Sequence, residues 1–125
     1  MKNELLEEVV VALLAVNNYP LDKAWKLLPA LREAGLTKPE SVPSDAGEAT
    51  VKLAAAGYDR GLLTSMFAER IQGLMQAAQS GDLDGLEGLV REGKKAEAAA
   101  VLCKVKGIGP RVAETAWMLW QSPAT

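Results

Sequence analysis

Val105-Lys106-Gly107-Ile108-Gly109-Pro110 is the stretch on which this chain turns. On either side of it, residues 95–104 and 110–120 carry helix-forming residues with apolar positions three and four apart. Two glycines two apart let the backbone take positive φ in a very tight connection. Pro110 suits the first turn of the following helix, where its missing N–H leaves nothing unsatisfied. Such a hairpin aims several backbone N–H groups outward at a helix N-terminus, which is where phosphate binds well. Ile108 at the tip should point inward as an apolar plug. Val112, Ala113, Ala116 and Leu119 should pack the second helix on the first.

Local charge agrees with this reading. Residues 91–111 hold six basic side chains (Arg91, Lys94, Lys95, Lys104, Lys106, Arg111) against two acidic ones (Glu92, Glu97). That stretch carries +4 in a chain whose net charge is −2, so everything outside it carries −6. A basic end on an acidic body is the pattern of a local phosphate-binding patch. The plainer alternative is a tight helix connection with a solvated basic face, because Gly-x-Gly alone is a weak signal.

Outward from the hairpin, β signals are nearly absent and the periodicity predicts all-α architecture: a bundle of about six to seven short helices in one domain over 1–125. The first helix covers about 3–16, capped by Asn3, and breaks at Asn17-Asn18-Tyr19-Pro20. The second covers 21–34, with Pro29 able to kink it. A third starts at Ser44-Asp45 and stops at Gly57; a fourth covers 62–79; a short fifth holds Leu83, Leu86, Leu89 and Val90. The tail 121–125 reads as frayed. Residues 54–59 sit between two helices and could form a degenerate second hairpin.

Composition removes several chemistries. There is no histidine, which excludes His-based acid–base chemistry and His-ligated zinc. Cys103 is the single cysteine, so no internal disulfide forms; it follows an alanine-rich run and is expected to be buried and inert. The N-terminal stretch places acids first, and its apolar run 9–16 is too short for a signal or a membrane span, so the expected location is cytoplasmic. The overall charge announces no global nucleic-acid field, only a local one.

Other residues divide between packing and function. Trp117 and Trp120 lie three apart on the last helix, as either a base-stacking platform or core, with core favoured for at least one. Trp25 and Phe67 read as core. Tyr58 would wedge into DNA only if the second hairpin formed; local packing is the simpler reading. Asp82, Asp84 and Glu87 suit a helix N-terminus better than a metal site.

Residues 105–114, Val-Lys-Gly-Ile-Gly-Pro-Arg-Val-Ala-Glu, resemble the helix–hairpin–helix of the base-excision DNA glycosylases related to endonuclease III and 8-oxoguanine glycosylase. That family's pattern is roughly Leu-Pro-Gly-(Val/Ile)-Gly-x-Lys-x-Ala. Weaker matches lie upstream, at Ala56-Gly57-Tyr58, Ala68-Glu69-Arg70-Ile71 and Leu36-Thr37-Lys38-Pro39-Glu40. The resemblance implies DNA as partner. Backbone N–H groups near Gly107, Gly109 and Arg111 would hold a phosphate, and Lys104, Lys106 and Arg111 would add charge beside Ile108. It also implies a monovalent cation, K+ or Na+, on the carbonyls of Cys103, Val105 and Ile108.

The departures bear on catalysis. Arg111 stands where bifunctional family members carry the Schiff-base lysine, and a guanidinium stays protonated and cannot attack as an amine. The family's catalytic aspartate would fall beyond Thr125, and its iron–sulfur cysteines have no counterparts. The resulting expectation is a DNA-binding module that grips the phosphate backbone without sequence reading and without catalysis. Two alternatives stay open: a minimal glycosylase or abasic-site lyase using another amine such as Lys106, and a protein-interaction domain that has lost DNA binding.

Overall fold

The computed structural model describes residues 3–16 and 19–121, and every regular element among them is helical. The order is α1 (Asn3–Leu14), α2 (Leu21–Lys26), α3 (Leu28–Glu33), α4 (Ala46–Ala55), a 3-10 turn (Gly61–Leu63), α5 (Thr64–Ser80), α6 (Leu86–Arg91), α7 (Lys95–Cys103) and α8 (Pro110–Gln121). The all-α expectation holds, but the estimate of six to seven helices is low. The added helix comes from the predicted second helix, which is two: α2 ends at Lys26 and is capped by Leu27, whose N–H turns to Ala24 O in a 3-10 bond. The cause is Pro29 at the start of α3. It has no N–H for the Trp25 carbonyl, and its ring would collide with that carbonyl in a continuous helix.

Local chemistry sets the other boundaries. Asp45, not Ser44, caps α4, its Oδ2 accepting from Glu48 N–H at 2.9 Å. The expected cap at Asn3, the break at Asn17-Asn18 and the fraying of 122–125 lie outside the residues, or the side chains, that are described.

The core is built around α1. Leu6, Val9, Val10, Val11, Ala12, Leu13 and Leu14 are all buried, so this helix is enclosed on every side rather than on one stripe. It packs on α8, α2 and α5, while α4 and α5 form the most extensive helix pair. Phe67, Ile71, Leu74 and Met75 carry α5 into the same cluster, and Ala98, Leu102, Val112, Ala113 and Ala116 carry α7 and α8. Trp25, expected in the core, is 39% exposed. The short α2 turns Ala24 inward instead, leaving the neighbouring indole on the rim.

Polar ties bind the framework. Glu7 is buried and receives both Nε and Nη2 of Arg32, at 2.7 and 2.9 Å, which fixes α3 against α1. Trp120 Nε1 donates to Leu5 O at 3.3 Å and holds the end of α8 on α1. The Tyr58 hydroxyl donates to Leu14 O at 2.7 Å and accepts from Arg60 Nη1 at 3.0 Å. Tyr58 is fully buried in edge contact with Phe67. Burial pushes its phenol pKa up, with Arg60 pulling the other way. It is therefore a core pin and is not available as a DNA wedge. No helix among the described residues is long and apolar enough to cross a membrane.

Candidate functional site

Residues 104–109 join α7 to α8 in six residues. The apolar side chains of this connection point in: Val105, Ile108 and, one turn into α8, Val112 are buried. The charged ones point out: Lys104, Lys106 and Arg111 are exposed, and none has an ion-pair partner among the described residues. The predicted plug at Ile108 is in place; Val112, Ala113 and Ala116, expected to pack α8 on α7, are buried, with Leu119 half-buried, and α8 packs on both α1 and α7.

The two glycines differ, contrary to the expectation that both relieve the turn. Gly107 has φ +93°, a left-handed conformation that disfavours side chains. Gly109 is not in that region, and a Cβ built on it meets nothing within 4 Å. Its carbonyl receives Ala113 N–H at 3.1 Å, which makes it the residue preceding the first turn of α8, with Pro110 as the first helical residue. Neither backbone strain nor packing demands a glycine there.

The hydrogen bonds leave a consistent set of donors over. Val105 N–H bonds Leu102 O and Ile108 N–H bonds Val105 O, which closes the turn from within. The N–H groups of Lys106, Gly107, Gly109, Arg111 and Val112 take no acceptor among the described residues. Donors around a helix N-terminus, flanked by three exposed cations and open space at Gly109, can bind an anion.

A monovalent cation would need carbonyls with lone pairs to spare. Val105 O uses one lone pair on Ile108 N–H, while the carbonyls of Cys103 and Ile108 accept no backbone hydrogen bond outside the helices. Lone pairs therefore remain on all three carbonyls.

The basic stretch is less uniform than its composition suggests. Arg91 pairs with Glu87 at 3.1 Å, Lys94 with Glu92 at 3.2 Å and Lys95 with Glu114 at 2.8 Å. Glu92 and Glu97 together raise the pKa of the exposed Lys94. The last of these pairs links the start of α7 to α8, a contact invisible to a count along the chain. Among the described residues, the cations of this stretch without an ion-pair partner are Lys104 and Lys106 of the connection and Arg111 in the first turn of α8.

Other candidates are placed differently from expectation. Cys103 is exposed, because helical phase turns Ala98 and Leu102 inward and the thiol outward. Trp117 and Trp120 meet edge to face at 6.3 Å and pack half-buried on the core, which uses much of their surface for folding. Glu87 lies in the first turn of α6, as expected, and is held by Arg91. No group of three or more His, Cys, Asp or Glu side chains is arranged to hold a metal among the described residues.

One contributor escaped the sequence reading. An open groove of about 450 Å³ lies between α5 and the connection, lined by Met66, Glu69, Arg70 and Gly73 on one side and Lys106 and Gly107 on the other. Arg70 is far from the hairpin in sequence, and only the packing of α5 brings it there. No family model, no curated protein and no solved structure matches this chain.

Proposed function

We propose that this chain is a DNA-binding module that grips the phosphate backbone through residues 104–111, without reading sequence and without base-excision catalysis. Lys104, Lys106 and Arg111 supply charge. The N–H groups around Gly107, Gly109 and Arg111 supply directed donors. The observation that carries the reading is Gly109. It stands beside unengaged donors, and neither its φ nor a neighbouring atom requires it to lack a side chain. What a glycine provides at such a place is close approach of a ligand to the backbone.

Kinship with the helix–hairpin–helix DNA glycosylases belongs to the same proposal and rests on the residues of 105–114. A K+ or Na+ ion on the carbonyls of Cys103, Val105 and Ile108 would place further positive charge beside the bound phosphate. Arg111 in the lysine's position argues for binding over lyase chemistry, since its guanidinium does not form a Schiff base. An acidic body of charge −6 around the grip implies modest affinity that falls steeply with salt.

The test is a fluorescence-anisotropy titration of a labelled 20-base-pair duplex, from low to physiological salt. Saturable binding at low salt, insensitive to duplex sequence, is the expected result. Absence of binding at the lowest salt rules the proposal out. Borohydride treatment on an abasic duplex should trap no adduct; a covalent adduct would restore the lyase reading.

A further inference from the structure

We infer that the groove between α5 and the α7–α8 connection is a second subsite for a nucleic-acid phosphate, with Arg70 as its cation and Gly107 as the residue that lets Arg70 lie there. The inference rests on the DNA-binding reading above and adds to it a second element, far away in sequence.

Three observations converge. Arg70 and Lys106 line the same groove from two different elements, so an anion between them would meet positive charge from both sides. A guanidinium presents a planar fork that suits two phosphate oxygens at once. Arg70 has no carboxylate partner among the described residues; its guanidinium carbon lies 5.6 Å from the centre of the Phe67 ring, a contact that orients the head without neutralising it.

Gly107 makes that placement achievable. A Cβ at Gly107 would stand 2.7 Å from Arg70 Cγ, 3.0 Å from its Cδ and 3.2 Å from its Nε. Any side chain there would push the arginine stem off the connection. The glycine of the turn is thus also the bed on which the arginine lies.

Gly73 is the third observation. It sits inside α5, where glycine is a poor choice for a helix. A Cβ there meets nothing within 4 Å, so packing does not call for its absence. It lines the groove, and its lack of a side chain keeps that space open. The opposing charge in the groove is Glu69, whose exposed carboxylate lowers affinity for an anion.

The experiment uses the same labelled duplex with four variants of the full chain, each first checked by thermal melting. Arg70→Gln should weaken binding about 5- to 10-fold and lower the slope of log K against log salt by about one, the signature of one lost phosphate contact. Gly73→Leu should weaken binding while melting at or above the parent's temperature, since a better helix former fills the groove. Glu69→Gln should tighten binding. Lys106→Glu combined with Arg111→Glu should weaken it most. If Arg70→Gln and Gly73→Leu bind like the parent while the double charge reversal loses binding, the second subsite is wrong and the DNA-binding reading stands. If the parent itself does not bind, both fall. Should Arg70→Gln fail to fold, Gly73→Leu and Glu69→Gln decide the matter: no change in both overturns the inference.

Discussion

Two of the helix connections among the described residues are built to opposite ends. The one between α4 and α5 and the one between α7 and α8 each turn on a glycine with positive φ, Gly57 at +112° and Gly107 at +93°. In the first, most backbone N–H groups are consumed internally. Gly57 and Tyr58 N–H groups bond back to Ala54 and Leu53, Arg60 N–H finds Thr64 Oγ1, and Gly61 N–H finds Asp59 Oδ1. Its aromatic residue, Tyr58, is buried and hydrogen-bonded to α1. In the second, the N–H groups of Lys106, Gly107 and Gly109, with those of Arg111 and Val112 in the first turn of α8, have no acceptor among the described residues, and the charged side chains are cations. A connection whose hydrogen bonds close on themselves serves the fold. One that leaves donors over, on a rigid base, is equipped to meet something else.

The largest test of this contrast removes the pin of the first connection. Tyr58→Ala should cost about 3–5 kcal/mol, as expected for deleting a buried aromatic, and chemical denaturation should report it. Whatever fraction stays folded should bind DNA with parental affinity. A specific loss of binding would mean that the two connections are not separate in role.

The mirror experiment targets the second connection. The double variant Lys106→Glu and Arg111→Glu should lower DNA affinity about 100-fold, or about 2.7 kcal/mol, with the melting temperature nearly unchanged. Both side chains are exposed and have no ion-pair partner among the described residues, so the fold has little to lose. A large drop in stability would break the distinction.

Tyr58→Phe separates the hydroxyl from the ring. It should destabilise by about 1–2 kcal/mol, because Leu14 O is left without its donor. It should also change the alkaline limb of stability. The folded phenol pKa lies above the ordinary value of 10.0, so its stabilising contribution is complete below that pH and is lost as pH rises through the folded value. Denaturation midpoints followed from pH 9 upward should fall more steeply for the parent than for the Phe variant. Parallel slopes would contradict the burial argument.

Gly109→Ala is the finest test. The added methyl enters open space in the fold, so stability should hold or rise by about 0.4–1 kcal/mol through a less flexible unfolded chain. DNA affinity should nonetheless fall a few-fold, measured by anisotropy, because the methyl stands where a phosphate would approach. Unchanged affinity would show that Gly109 has no part in the grip.

The sequence by itself determined the helical class, most helix boundaries and the inward face of the hairpin, because these follow from short-range rules. Ile108 is buried and Pro110 opens α8 as residue type and spacing require. The break at Pro29 was legible as a kink, but not as a complete change of helix. Tertiary structure decided what depends on partners distant along the chain. Lys95 leaves the basic patch because Glu114 reaches it from α8, and Trp25 lies on the rim because α2 turns Ala24 inward. Cys103 faces out because the phase of α7 is set by what it packs on. Arg70 joins the hairpin only because α5 lies against it, over a glycine whose missing side chain leaves the room. Local propensity is written in neighbouring residues; charge neutralisation and groove formation arise between residues that only the packed core brings together.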